Sequence, residues 1–300
     1  MLEFTVDEQL SVRTPFRLDL TADALRRLAS NAVDVVTHDG AYLRAFASDG
    51  NAAVLRVSQS EPSVVRVQAA GMHWERARDL STRMLGTDVD VRRWKQRAAK
   101  VPWVARLARA LAGLRPPRYP TLWEACAHAI VFQQISIVAA AAIMHRMVTA
   151  LSVPITVGET TLRAFPAPVA LLCAHERDLR AAGLSANKVD HLRAVAGALE
   201  RGEITEEEID RLPTAQAAER LVQLRGIGPW SAAVVLLRGF GRLDTFPLRD
   251  SGVARTAALL SGDTHVDLEA VLAALGPMRG MLYYHLLLGR LRNLTPARPD

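Results

Sequence analysis

The chain has 300 residues, half of them apolar, which suits one large domain or two ordinary ones with a sizeable core. Its formal charge of +6 is uneven: residues 1–85 hold 10 Lys/Arg against 11 Asp/Glu and the remainder 27 against 20, a basic balance that fits a polyanionic partner. Two distant cysteines, Cys126 and Cys173, exclude a four-cysteine iron–sulfur site and point to a reducing compartment.

The N-terminal MLEFTVDEQL lacks the basic start and apolar core of a secretory signal. The central apolar run 137–144 is far shorter than the roughly 20 residues that a membrane-spanning helix needs. The expectation is a cytoplasmic protein with no membrane partner.

In chain order, LEFTV (2–6), DVVTH (34–38), AYLRAFA (41–47), AAVLRVS (52–58) and SVVRVQA (63–69) read as strands, with turns at HDG and SDGN. TADALRRLA predicts a helix with Thr21 as N-cap, and GMHWERARDLSTRMLG a second helix ending at Gly86. From there the pattern is helical: 90–98, 102–113, 121–151, 186–202, 205–212, 214–224, 229–239, 250–260, 267–276 and 280–291. LRPPRYP (114–120) and FPAP (165–168) break it. The expected fold is mainly α with an N-terminal α+β domain. A small antiparallel sheet with helices over 1–86 precedes a helical domain over 87–300.

The stretch 224–250, LRGIGPWSAAVVLLRGFGRLDTFPLRD, carries the most chemistry. A helix starting at an N-cap Thr214 meets a turn in which Gly226 and Gly228 are free to take positive φ or admit another backbone. Pro229 opens the next helix, where its missing N–H costs nothing, and Gly239 is expected to end it. The free amides at that helix start can receive a phosphate. Taken alone, the turn reads more readily as an ordinary packed hairpin.

These residues resemble the helix-hairpin-helix motif (about 214–239) and catalytic loop (240–250) of the helix-hairpin-helix DNA glycosylases. The 3-methyladenine DNA glycosylase II branch is the most similar. RMLGTDVD at 83–90, IVFQQISIVAAA at 130–141 and GLSANKVDHLRAVA at 183–196 agree in order and spacing, so the resemblance spans nearly the whole chain. It implies an enzyme that binds duplex DNA, flips out an alkylated base and hydrolyses its N-glycosidic bond. It implies action as a monomer without an obligate protein partner.

By that match Asp250 is the catalytic carboxylate, placed to stabilise positive charge developing at C1′ and to orient water. As the first residue of DSGVARTAALL it is also suited to be a helix cap, and the two roles are compatible. Asp244 is the rival acid, more naturally a loop-fixing residue. Trp230 stands where the lyase branch carries its lysine. The three lysines, Lys95, Lys100 and Lys188, lie away from the hairpin, which implies base release by water with no strand-cutting step.

The resemblance makes Ile135 the wedge that fills the flipped-out gap and Gln134 its polar neighbour. From the residues alone, FQQIS interrupting a long apolar helix reads as core with its glutamines bridging to backbone. Trp230 is assigned to the base pocket. So is Leu287, which replaces a stacking tryptophan of familiar members; Val234 likewise replaces an aromatic, and Tyr283 and Tyr284 are near in sequence. The match also implies phosphate contacts at Arg225, Gly226, Gly228 and Arg249, with Lys188 open to the same reading. No cofactor is required. A monovalent cation on the carbonyls of Val222, Leu224 and Ile227 is part of the family pattern. His128, His145 and His285 have no metal spacing. The alternatives are a non-catalytic duplex-binding protein on the same scaffold and a glycosylase for another lesion.

Overall fold

A computed structural model describes residues 3–48, 51–248 and 250–295. Its N-terminal part holds β1 (Val6–Ser11), α1 (Leu18–Arg26), β2 (Asp34–Val36), β3 (Tyr42–Ser48), β4 (Asn51–Glu61), β5 (Val64–Ala70) and α2 (Trp74–Leu85). The strands form one antiparallel sheet in the order β1-β5-β4-β3-β2. Period-two alternation divides its faces. Tyr42, Leu55, Val57, Val65 and Val67 pack under α1 and α2 with Leu25, Met84 and Leu85.

The opposite face is where the structure departs from an all-helical second half. After α3 (Arg92–Ala98), α4 (Pro102–Ala110), α5 (Leu122–Val131) and α6 (Ile137–Leu151) comes a hairpin, β6 (Pro154–Val157) and β7 (Thr160–Arg163). Its Ile155 and Leu162 cover Leu43, Ala45 and Val54 of the sheet. There follow α7 (Pro168–Cys173), α8 (Glu176–Ala181), α9 (Ala186–Glu200), α10 (Glu206–Arg211), α11 (Thr214–Val222) and α12 (Pro229–Phe240). The chain then forms α13 (Ser251–Ser261), α14 (Leu268–Leu275), a short 3-10 turn (Gly276–Met278) and α15 (Gly280–Leu291). Among the described residues, no single helix is long and apolar enough to cross a membrane.

Four boundary expectations are corrected. The first strand lies at Val6–Ser11 rather than 2–6, because its register on β5 pairs Val6 with Ala69 and Leu10 with Val65. Helix α1 begins a turn before Thr21, whose hydroxyl bonds back to the Arg17 carbonyl instead of capping. Pro213, not Thr214, precedes α11. Gly239 is buried inside α12, which ends at Gly241 with φ 70°.

Two helical cores meet in the second half. The first gathers α5, α9, α11 and α12 around Ile130, Leu192, Leu221 and Val235. The second gathers α3, α4, α13, α14 and α15 around Trp94, Leu107, Leu260 and Leu286, and takes in Leu20 and Ala24 of α1. Sheet and helices are also joined by buried charge. Arg44 on β3 bonds Asp34 and Glu124, each at 2.5 Å, and the Tyr42 hydroxyl donates to Asp34 at 2.6 Å. Burial pushes the Glu124 carboxyl up to about 7, with the Arg44 guanidinium opposing it.

Candidate active site

The seam between the two helical cores carries the site. α11 and α12 are packed neighbours joined by the glycine turn. Gly226 sits at φ 94°, and a Cβ there would collide with the Cβ and Cγ of His191 on α9, so both conformation and space demand glycine. Gly228 differs: its φ of −91° suits any residue, and a Cβ would meet nothing within 4 Å. Its openness at the N-cap of α12, with Pro229 following, leaves room for an approaching group.

Asp250 is the N-cap of α13. Its Oδ1 accepts the amides of Gly252 at 2.8 Å and Val253 at 3.1 Å. Its Oδ2 accepts the indole N–H of Trp230 at 3.1 Å. Trp230 packs against the first core, while Val253 and Ala257 of α13 belong to the second. The hydrogen bond therefore spans the seam. A carboxylate oxygen can accept a second donor, so Oδ2 is equipped to hold a water as well. Asp244 is exposed in the same loop and forms none of these bonds.

The FQQIS segment is a loop between α5 and α6, which overturns its reading as core helix. Gln134 takes φ 59° and is exposed, and Ile135 is 38% exposed. It is Gln133 that bridges: its amide donates to the Gly226 carbonyl at 2.8 Å and the Ser231 hydroxyl at 2.7 Å, fastening the loop to the hairpin. Lys188 donates to the carbonyls of Val131 at 2.7 Å and Gln133 at 3.0 Å, and partial burial lowers its pKa. It braces the loop from behind rather than facing outward. Ser136 caps α6 through the Ala139 amide.

The other assigned residues fall as follows. Leu287 is buried on α15, and Val234 is buried in the first core. Tyr284 is fully buried and donates to the carbonyls of Pro117 and Leu237. Tyr283 is half-buried, one turn before Leu287 and so on its face. Arg225 is exposed at the hairpin tip, 3.7 Å from Asp190. Val222 is exposed, Leu224 half-buried and Ile227 buried. Arg249 lies outside the described residues. His145 contacts the Ser30 carbonyl, and His128 and His285 are buried among rings. No cluster of metal-binding side chains occurs among the described residues.

The helical hairpin with its open N-terminus is thus followed, one loop later, by a helix-capping carboxylate at the seam. Residues 127–274 match the family described as HhH-GPD superfamily base excision DNA repair protein, and the chain carries a domain of that superfamily. A Bacillus subtilis protein named DNA-3-methyladenine glycosylase is 27% identical over 173 residues, 58% of this chain and 57% of its own length. The 3-methyladenine DNA glycosylase structure from Archaeoglobus fulgidus shares the fold, with TM-score 0.79 and 24% identity over 96% of this chain and 100% of that one. The Schizosaccharomyces pombe 3-methyladenine DNA glycosylase in complex with abasic DNA matches with TM-score 0.55 and 25% identity, over 67% of this chain and 100% of that one. The chain spans less than two thirds of the length of the curated relatives it matches.

Proposed function

We propose that this protein is a monofunctional DNA glycosylase that flips an alkylated base out of duplex DNA and hydrolyses its N-glycosidic bond. The Trp230–Asp250 hydrogen bond at 3.1 Å carries this reading, because it aims a fixed carboxylate into the seam beside the hairpin. The relatives named DNA-3-methyladenine glycosylase support excision of a damaged base, and the neighbour solved in complex with abasic DNA supports DNA binding.

In this scheme Ile135 enters the helical stack, and the flipped nucleotide is held with C1′ near Asp250. As the C1′–N bond lengthens, the electron pair leaves with the base and positive charge grows on the sugar, where the carboxylate stabilises it. A water on Oδ2 supplies the oxygen that bonds C1′, and its proton passes to the carboxylate or to solvent. No lysine competes as nucleophile: the ammonium of Lys188 is engaged by two carbonyls, and Lys95 and Lys100 lie at α3 and just beyond it.

Phosphate is gripped at the open Gly228 turn, with Arg225 exposed at the hairpin tip. The carbonyl of Val222 lies at the end of α11, and that of Leu224 accepts the turn bond from Ile227 at 3.0 Å, so hard oxygen donors occur at successive points of the turn. These residues fit a monovalent cation, held with the Ile227 carbonyl, whose charge would attract a phosphate. The protein acts as a monomer in the cytoplasm.

The test is base release from methylated duplex DNA by the wild type and Asp250→Asn, followed by alkali. Release that depends on Asp250, with strand breaks only after alkali, is expected. Breaks before alkali would refute the monofunctional assignment, and no release from any alkylated duplex would refute the glycosylase.

A further inference from the structure

Arg27 ends α1 in a conformation that arginine rarely adopts. Its φ is 60° and its ψ −62°, and the Leu28 amide donates to the Arg26 carbonyl at 2.7 Å, which makes a γ-turn of the strained hand. Such an outlier persists only where the surroundings dictate it. They do so here. Arg26 pairs with Asp23 at 2.8 Å, Arg292 beyond α15 pairs with Asp23 at 2.6 Å, and Arg238 of α12 donates to the Ala24 carbonyl at 3.1 Å.

The strained turn delivers the guanidinium to the seam. Its Cζ lies 4.3 Å from the centroid of the Phe132 ring, and one terminal nitrogen is 3.4 Å from the Tyr283 hydroxyl. Its Nε is buried and finds no partner among the described residues. Phe132 packs on the first core and Tyr283 on the second, so Arg27 bridges the same seam that Trp230 and Asp250 bridge. The two bridges are linked through the loop: Phe132 precedes Gln133, whose amide donates to the hydroxyl of Ser231, the residue after Trp230. The neighbouring His128 ring, 5.7 Å from Phe132, is held neutral by burial and by the nearby arginines.

We propose that Arg27 is a charge filter for the base that enters this site. It disfavours bases that carry positive charge, as N3- and N7-alkylated purines do in DNA. It admits uncharged adducts, to whose ring nitrogens or carbonyls its N–H groups can donate. This rests on the glycosylase reading above and narrows its substrate class. Two effects produce the filter. The guanidinium already uses the electron-rich face of Phe132 that would attract a cationic base. Two like charges sharing a half-buried seam also repel far more strongly than they would in water.

The test reads binding without chemistry, using duplexes with 2′-fluoro nucleotides that resist cleavage. One carries 7-methylguanine (cationic), one 1,N6-ethenoadenine (uncharged), and one is undamaged. Arg27→Gly removes the side chain and suits the turn. It should improve affinity for the 7-methylguanine duplex, relative to the ethenoadenine duplex, by about tenfold. Arg27→Gln repeats the measurement with an uncharged planar head should the glycine variant be unstable. Arg27→Lys, which keeps the charge, should stay within about threefold of the wild-type ratio. An unchanged ratio in both uncharged variants, with each lesion still bound better than undamaged DNA, overturns the filter and leaves the glycosylase standing. If the wild type binds neither lesion better than undamaged DNA, the seam is not a base pocket and both readings fall.

Discussion

The indole of Trp230 and the carboxylate of Asp250 are joined at 3.1 Å, although 20 positions separate them in the chain. The tryptophan therefore positions the acid, whatever its ring does for a base. Asp250→Asn places an amide among three donors and removes the charge. It should lower single-turnover base release by roughly 10²–10⁴-fold while duplex affinity stays within a factor of a few. Loss of affinity in step with activity would remove Asp250 from the chemical step.

Trp230→Phe keeps an aromatic body and deletes only the N–H. The expected outcome is a fall in kcat of about tenfold with little change in KM, because a hydrogen bond to a charged group is worth about 1.5–3 kcal/mol. A rise in KM alone would mean that the ring, not its nitrogen, is what matters.

The two hairpin glycines should separate fold from grip. Gly226→Ala meets both a φ of 94° and His191, and should cost at least about 2 kcal/mol in denaturant unfolding. Gly228→Asp occupies open space at an ordinary φ and should leave stability within about 0.5 kcal/mol. It sets a negative charge where a phosphate is expected, so duplex affinity should drop about tenfold for every sequence alike. Equal effects of the two substitutions on melting temperature would contradict this division.

His285 gives the fold a pH dependence. Its Nε2 accepts the Trp94 indole at 3.1 Å, and its Nδ1–H donates to the Met281 carbonyl at 2.8 Å, so the neutral ring is satisfied on both sides. Burial pushes its pKa down to about 4 from 6.5. The unfolded chain thus takes up a proton before the fold does. Stability is complete above pH 6.5 and is lost as pH falls toward 4, by about 3 kcal/mol for this residue. His128, also held neutral by burial, acts in the same direction. His285→Gln should show a shallower slope between pH 7 and pH 4.5 in urea melts; parallel curves would mean that the ring is not the titrating group.

What could be read from the chain was what local chemistry decides. Gly226, Pro229 and the cap at Asp250 each act on backbone within a few residues, and all three occupy the expected elements. The β6–β7 hairpin escaped notice because its two apolar positions, Ile155 and Leu162, acquire meaning only against β3 and β4. Gln133 and Gln134 are indistinguishable as letters. The left-handed backbone at Gln134 turns one amide into the hairpin and leaves the other outside. Arg27 was hidden most completely, since nothing in an N-terminal helix end announces a partner 256 positions away.

Gln133 and Lys188 weld the Ile135 loop to the hairpin and to α9. In the proposed scheme the side chain that probes the stack and the turn that holds the strand are one casting, with their spacing set before DNA arrives. Strain on engagement then falls on the nucleic acid. Steps that bend readily, such as pyrimidine–purine junctions and mismatches, will yield their bases sooner than stiff A-tracts bearing the same damage. The enzyme in this scheme surveys DNA by its softness as well as by its chemistry.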